Sequence, residues 1–170
     1  MKKKICINGV FDYIHRGHCN LFKWSKSLNN SDNYLVVGIN SDDSVRKLNK
    51  GPERPIHSQE DRKFVLECIR YIDKVVIFDQ ETAVNFLMME RPDILVKSAD
   101  RTLESMNQME RRFIESYNGE IVFAPFIEGF STTNILKKLQ GSKKESGLSN
   151  FWLTFLGKFR KVFLRTIKLL

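Results

Sequence analysis

The chain has 170 residues, 42% hydrophobic and 28% charged, with a formal net charge of +8; that is enough for one globular domain with its own core. Residues 141–170 hold seven basic side chains and one acid, so six of the eight net charges sit there and the rest is a near-neutral domain. Cys6, Cys19 and Cys68 stand far apart with no C-x-x-C pair, which argues against a disulfide framework or a zinc site and for a reducing, cytoplasmic compartment.

The opening "MKKKICINGVF" places lysines before an apolar run. That run is short, breaks at Asn8-Gly9 and meets no small-residue cleavage site, so it reads as a first strand and not as a leader. Short, β-branched apolar runs then alternate with helical patterns. The expected strands are 5–7, 34–39, 74–78, 94–96 and 121–124, and the expected helices 17–28, 59–72, 81–89, a stretch ending near Tyr117, and 132–139. Ser58 with Asp61 three residues on is spaced as a capping box for the second helix. Such alternation predicts an α/β domain over 1–140, a parallel sheet with helices on both faces. Ligands on such sheets bind beyond the carboxyl ends of the strands, which points to loops 8–18, 40–54, 97–101 and 126–133. Residues 141–150, "GSKKESGLSN", have a linker composition.

The stretch "NGVFDYIHRGH", 8–18, places two of the three histidines three residues apart on the first strand-to-helix turn. Gly9 allows close backbone approach, and Gly17 opens a helix whose free amides and dipole favour anions. One helical turn separates His15 from His18, so both imidazoles face one side. Two imidazoles and helix-terminal amides suit a phosphoryl group whose charge rises during displacement. A zinc site lacks a third ligand nearby, and two solvated or core histidines are the plain alternative.

This segment resembles the signature of the cytidylyltransferase-like nucleotidyltransferases, G-x-F-D-x-x-H-x-G-H, matched at every defined position from Gly9 to His18. Their second signature, S-T-T, stands at Ser131-Thr132-Thr133. The resemblance runs from Lys3 to about Gln140 and implies a Rossmann-like fold. Within the family, "INGVFD", "NSDDSVRKLNKGPERPI" and "GFSTTNILKKL" are similar to heptose 1-phosphate adenylyltransferase domains, found alone or as one half of a bifunctional heptose enzyme. The glycerol-3-phosphate cytidylyltransferases are the second resemblance. They have an arginine before S-T-T where this chain has Phe126, although "LECIRYIDKV" looks as much like one branch as the other.

The resemblance implies transfer of AMP from ATP to a sugar 1-phosphate with release of pyrophosphate. Its alternatives are CTP-dependent transfer to glycerol 3-phosphate or a related alcohol phosphate, and a non-catalytic nucleotide- or membrane-binding module. It makes His15, His18, Lys50 and Arg62 the catalytic group. Gly9, Val10, Phe11, Gly17, His18, Lys97, Asp100, Ser131, Thr132 and Thr133 would bind the nucleotide. Lys47, Arg70 and Asp12 would stand on the acceptor side, with Asp12 either ordering the loop or meeting magnesium indirectly. Arg62 and Arg70 are expected on one face of one helix at two-turn spacing. Magnesium would arrive bridged by phosphate oxygens, with no metal site in the protein itself. A homodimer is implied by the resemblance alone. The pattern departs at Val96–Arg101, "VKSADR", where the relatives read "VKGGDY"; Lys97 and Asp100 are retained, but Ser98 and Ala99 add β-carbons.

In 151–170, Trp152, Phe155, Leu156, Phe159, Phe163, Ile167 and Leu170 fall on one helical face, with Lys158, Lys161, Arg165 and Lys168 opposite. The repeated charges exclude a membrane-spanning segment. A basic amphipathic helix of this kind suits the inner membrane surface, or packs on its own domain or a second subunit; nucleic acid is a third reading that the family does not share.

Overall fold

The computed structural model describes residues 2–30, 32–49, 51, 53–98, 101–125 and 135. The chain divides into two units, Met1–Phe130 and Ser131–Leu170, and the sheet with its helices belongs to the first. The elements in order are β1 (Lys4–Gly9), α1 (Arg16–Lys26), β2 (Tyr34–Asn40), α2 (Asp42–Lys47), α3 (Gln59–Glu67), β3 (Lys74–Phe78), α4 (Val84–Glu90), β4 (Ile94–Lys97), α5 (Gln108–Glu115) and β5 (Glu120–Phe123). All strands pair in parallel, in the order β3-β2-β1-β4-β5. This is the Rossmann-like α/β sheet, and its order reverses between β1 and β4.

Alternation along the strands fills both faces, since successive side chains point to opposite sides of the sheet. Ile5, Ile7, Leu35, Val37, Ile39, Ile94 and Val96 pack with Phe22 of α1 and Leu66 of α3. Cys6, Val36 and Leu95 pack on the other side with Phe86 and Leu87 of α4 and Ile114 of α5. In β2, Gly38 lets α4 approach: a β-carbon there would lie 2.7 Å from the Phe86 ring.

The expected strands are present within a residue or two of each end, but the helices differ more. The helix expected over 59–72 stops at Glu67, with Cys68 as its C-cap. Asp73 explains the early stop. Its carboxylate accepts from the Leu35 amide at 2.7 Å and from Lys26 Nζ at 2.6 Å, while its own amide donates to the Leu35 carbonyl. The chain must therefore leave the helix in time to enter the sheet, and Arg70 lies beyond the helix and not on a shared face with Arg62. The loop expected over 40–54 contains α2, six residues capped by Ser41, whose side chain accepts from the Ser44 amide. The helix expected to begin at Glu81 begins at Val84. No helix among the described residues is long and apolar enough to cross a membrane. The tail 151–170, the linker 141–150 and the expected helix 132–139 lie outside the described residues, apart from Ile135.

Candidate active site

The turn after β1 is built by burial. Phe11 takes a left-handed backbone, φ 51°, yet is only 7% exposed, with its ring against Phe22 at 5.3 Å and edge-on to His18 at 5.1 Å. A bulky residue there is strained, by about 1–3 kcal/mol, and persists because the core holds its ring. Asp12 is buried beside it, accepting from the amides of Ile56 and His57 at 3.0 and 2.9 Å and paired with Arg54 at 2.6 Å. Arg62, 2% exposed, donates to the Val10 carbonyl at 2.8 Å, the His57 carbonyl at 3.1 Å and the Asp42 carboxylate at 2.7 Å. The loop is thereby pinned to the start of α3 and to α2 before any ligand arrives.

His15 is the N-cap of α1, extended at φ −141° and making no side-chain cap bond, and the first turn carries no acid. The N-cap position, which usually supplies a side-chain acceptor to a helix start, supplies none here. The His15 and His18 rings stack with centroids 3.8 Å apart and planes inclined by 20°. Their Nδ1 atoms are buried and have no hydrogen-bond partner. Burial first, and the neighbouring His15 second, push His18 down to about 4 against a smaller upward pull from the Tyr13 backbone; burial also lowers His15. Buried polar atoms are nearly always paired, so two Nδ1 atoms without a partner among the described residues, at a helix start, suit a polar ligand.

That place opens on a cavity of about 400 Å³ at the carboxyl ends of β1 and β4. Of the residues expected to bind nucleotide, Gly9, Val10, Phe11, His18 and Lys97 line this cavity. Ser98, the first departure from the family pattern, lines it too. His15 and Gly17 stand at the start of α1 beside it. Leu48 brings the end of α2 to its rim, while Lys47, the last residue of that helix, is exposed. Arg62 supports the loop from below. Arg70 is not gathered with the others: it precedes the amino end of β3, at the opposite edge of the sheet, and stacks on Tyr71 at 4.8 Å. Lys50, Asp100, Ser131, Thr132 and Thr133 lie outside the described residues.

The sequence reading missed Arg54, Asp42 and Glu110. Glu110 had a signal, since it follows Asn107 at the three-residue spacing of a capped helix start, and Asn107 does accept from the amides of Met109 and Glu110. For a metal, the described residues hold no group of three or more His, Cys, Asp or Glu side chains. Asp12 spends its carboxylate on two amides and Arg54, which leaves it ill placed to hold a divalent ion directly.

A sheet reversal with a helix start on one side and a cavity on the other is where open α/β folds bind nucleotides, and the family match makes this chain a nucleotidyltransferase. Residues 6–138 match the family described as cytidylyltransferase-like, and the chain belongs to that family. Among curated relatives it is 40% identical over 138 residues to the bifunctional protein HldE of Geobacter sulfurreducens, covering 81% of this chain and 27% of that protein. It is also 40% identical over 140 residues to the HldE of Campylobacter fetus subsp. fetus, covering 82% and 28%. The chain thus spans little more than a quarter of these relatives. A lipopolysaccharide core biosynthesis protein from Thermoplasma volcanium has the same fold, with a TM-score of 0.60 at 23% identity over 74% of this chain and 98% of that one.

Proposed function

We propose that the chain transfers AMP from ATP to a sugar 1-phosphate of the heptose type, releasing pyrophosphate. The observation that carries this reading is the stacked His15–His18 pair at the start of α1, whose Nδ1 atoms have no partner among the described residues. A phosphate oxygen of the acceptor attacks the α-phosphorus in line; the new P–O bond forms as the α–β bridging bond breaks, and pyrophosphate carries away the electron pair. The imidazoles donate N–H groups to phosphoryl oxygens, and the α1 amides meet the charge that develops on them. Lys47 and Lys50 neutralise the approaching anions, and Ser131, Thr132 and Thr133 hold the outer phosphates. Arg62 acts as a positioning residue, because its donors are spent on the loop that carries the histidines. Asp12 orders that loop from the other side, and Arg70, away from the cavity, is assigned no part in the transfer. Magnesium, carried in with the triphosphate, would supply charge neutralisation there. The choice of ATP and a heptose-type acceptor is supported by the resemblance of the "NSDDSVRKLNKGPERPI" and "GFSTTNILKKL" segments and by the bifunctional relatives.

The test is pyrophosphate release with ATP or CTP across a panel of sugar and polyol phosphates. Turnover with ATP and a heptose-type 1-phosphate is expected. Turnover with CTP and glycerol 3-phosphate alone moves the chain to the cytidylyltransferase branch and leaves the histidine chemistry standing. Binding without turnover across the panel favours a non-catalytic module and points to Ser98-Ala99.

A further inference from the structure

On the α5 side of the cavity, across the sheet from α1, Lys97 of β4 reaches Glu110 of α5, their side chains 12% and 5% exposed. The Lys97 ammonium also donates to Asn8 Oδ1 at 2.7 Å. Its third N–H has no partner among the described residues, and the side chain lines the cavity. The other oxygen of Glu110 accepts from the Ala83 amide at 3.1 Å, at the start of α4, where no side-chain cap is present. One carboxylate therefore ties α4, α5 and the ends of β1 and β4 together, and fixes where the lysine points.

We propose that this pair reads the uncharged part of the nucleotide, its hydroxyl and amine groups, with Glu110 as the positioning residue for Lys97. The inference rests on the nucleotidyltransferase reading and names how that site selects its substrate. The charge of Lys97 is cancelled at contact distance, so what it offers the cavity is a directed donor and not a net cation. Phosphate finds no net positive charge at this end, where Glu81 and Glu110 balance Lys97 and Arg101, and Arg101 is turned toward the Ser105 carbonyl at 3.5 Å. Met106, 5% exposed, supplies an apolar wall beside the pair, as a base or ribose face needs and a polyphosphate does not. The phosphates then lie at the start of α1 and the nucleoside toward α5.

The experiment compares full-length wild type, Lys97→Met and Glu110→Gln in binding ATP, adenosine and inorganic tripolyphosphate, alongside steady-state pyrophosphate release. Lys97→Met is expected to weaken ATP and adenosine about three- to tenfold, the scale of one net hydrogen bond. It should leave tripolyphosphate unchanged and raise KM with kcat intact. Glu110→Gln keeps the acceptor but frees the lysine's charge, so tripolyphosphate should gain on adenosine. Loss of tripolyphosphate affinity in Lys97→Met would make the lysine a phosphate ligand and overturn the proposal. Unchanged adenosine binding, or a fall in kcat at constant KM, would overturn it too. If either single variant unfolds, Lys97→Met/Glu110→Met removes both charges together and carries the same comparison. A wild type that binds neither ATP nor CTP removes the enzyme reading and this proposal together; wild-type binding with an indifferent Lys97→Met removes this proposal alone.

Discussion

His15 and His18 lie face to face at 3.8 Å, a separation that two imidazolium ions in a buried place would not tolerate. Burial keeps His18 neutral down to about pH 4, and this costs the fold stability in acid. An unfolded histidine takes up its proton near pH 6.5 while the folded one refuses it, so stability falls as pH drops from about 6.5 toward 4 and levels off below. Chemical denaturation across that window should show the slope, and His18→Gln should flatten it. Bound triphosphate reverses the balance by favouring the charged ring. Calorimetry in buffers of different ionisation enthalpy should then show more proton uptake on ATP binding at pH 6 than at pH 8. For turnover, His15→Ala and His18→Ala are each expected to cost about 100-fold or more with the fold intact, the scale of one transition-state contact. Near-normal turnover in either variant would take that histidine out of the mechanism. Arg62 predicts a different pattern. Arg62→Met strips two carbonyls and Asp42 of their donor, with an expected loss of about 3 kcal/mol in denaturant titration. Lysine is not expected to rescue it, because one ammonium cannot span three acceptors in fork geometry.

Among the elements, β2 and α4 meet with least tolerance. Gly38→Ala puts a methyl group 2.7 Å from the Phe86 ring and is expected to destabilise the fold by about 1–3 kcal/mol, measured as a lowered Tm; pairing it with Phe86→Leu should recover part of the loss. Strands were legible in the sequence because both faces of the sheet are buried, which writes them as continuous β-branched runs. Helix ends were less legible. At Glu67 the helix stops because Asp73 is needed at β2, a partner far away in sequence. At Val84 it starts late because the Ala83 amide finds its acceptor on Glu110 of another helix. The six-residue α2 is too short to show a period, although Ser41 followed by Asp42 and Asp43 is a capped, acid-led start that local chemistry alone marks.

For the whole molecule, the order β3-β2-β1-β4-β5 turns a motif into a site. Asn8 and Lys97 are separated by 89 positions and meet because β1 and β4 are neighbours where the order reverses. The basic tail belongs to this scale as well. A chain lacking 151–170 is expected to keep pyrophosphate release; lost turnover would show instead that the domain needs its tail.

By itself the sequence determined the β/α alternation, the two signatures of the nucleotidyltransferase family and the histidine pair at a helix start, because each is written in residues close together along the chain. Only the tertiary structure decided that Arg62 is buried among backbone carbonyls, that Arg70 lies at the other edge of the sheet, and that Glu110 meets Lys97 across the cavity. Those outcomes depend on which strands lie side by side, and a buried charge goes wherever the fold leaves acceptors for it.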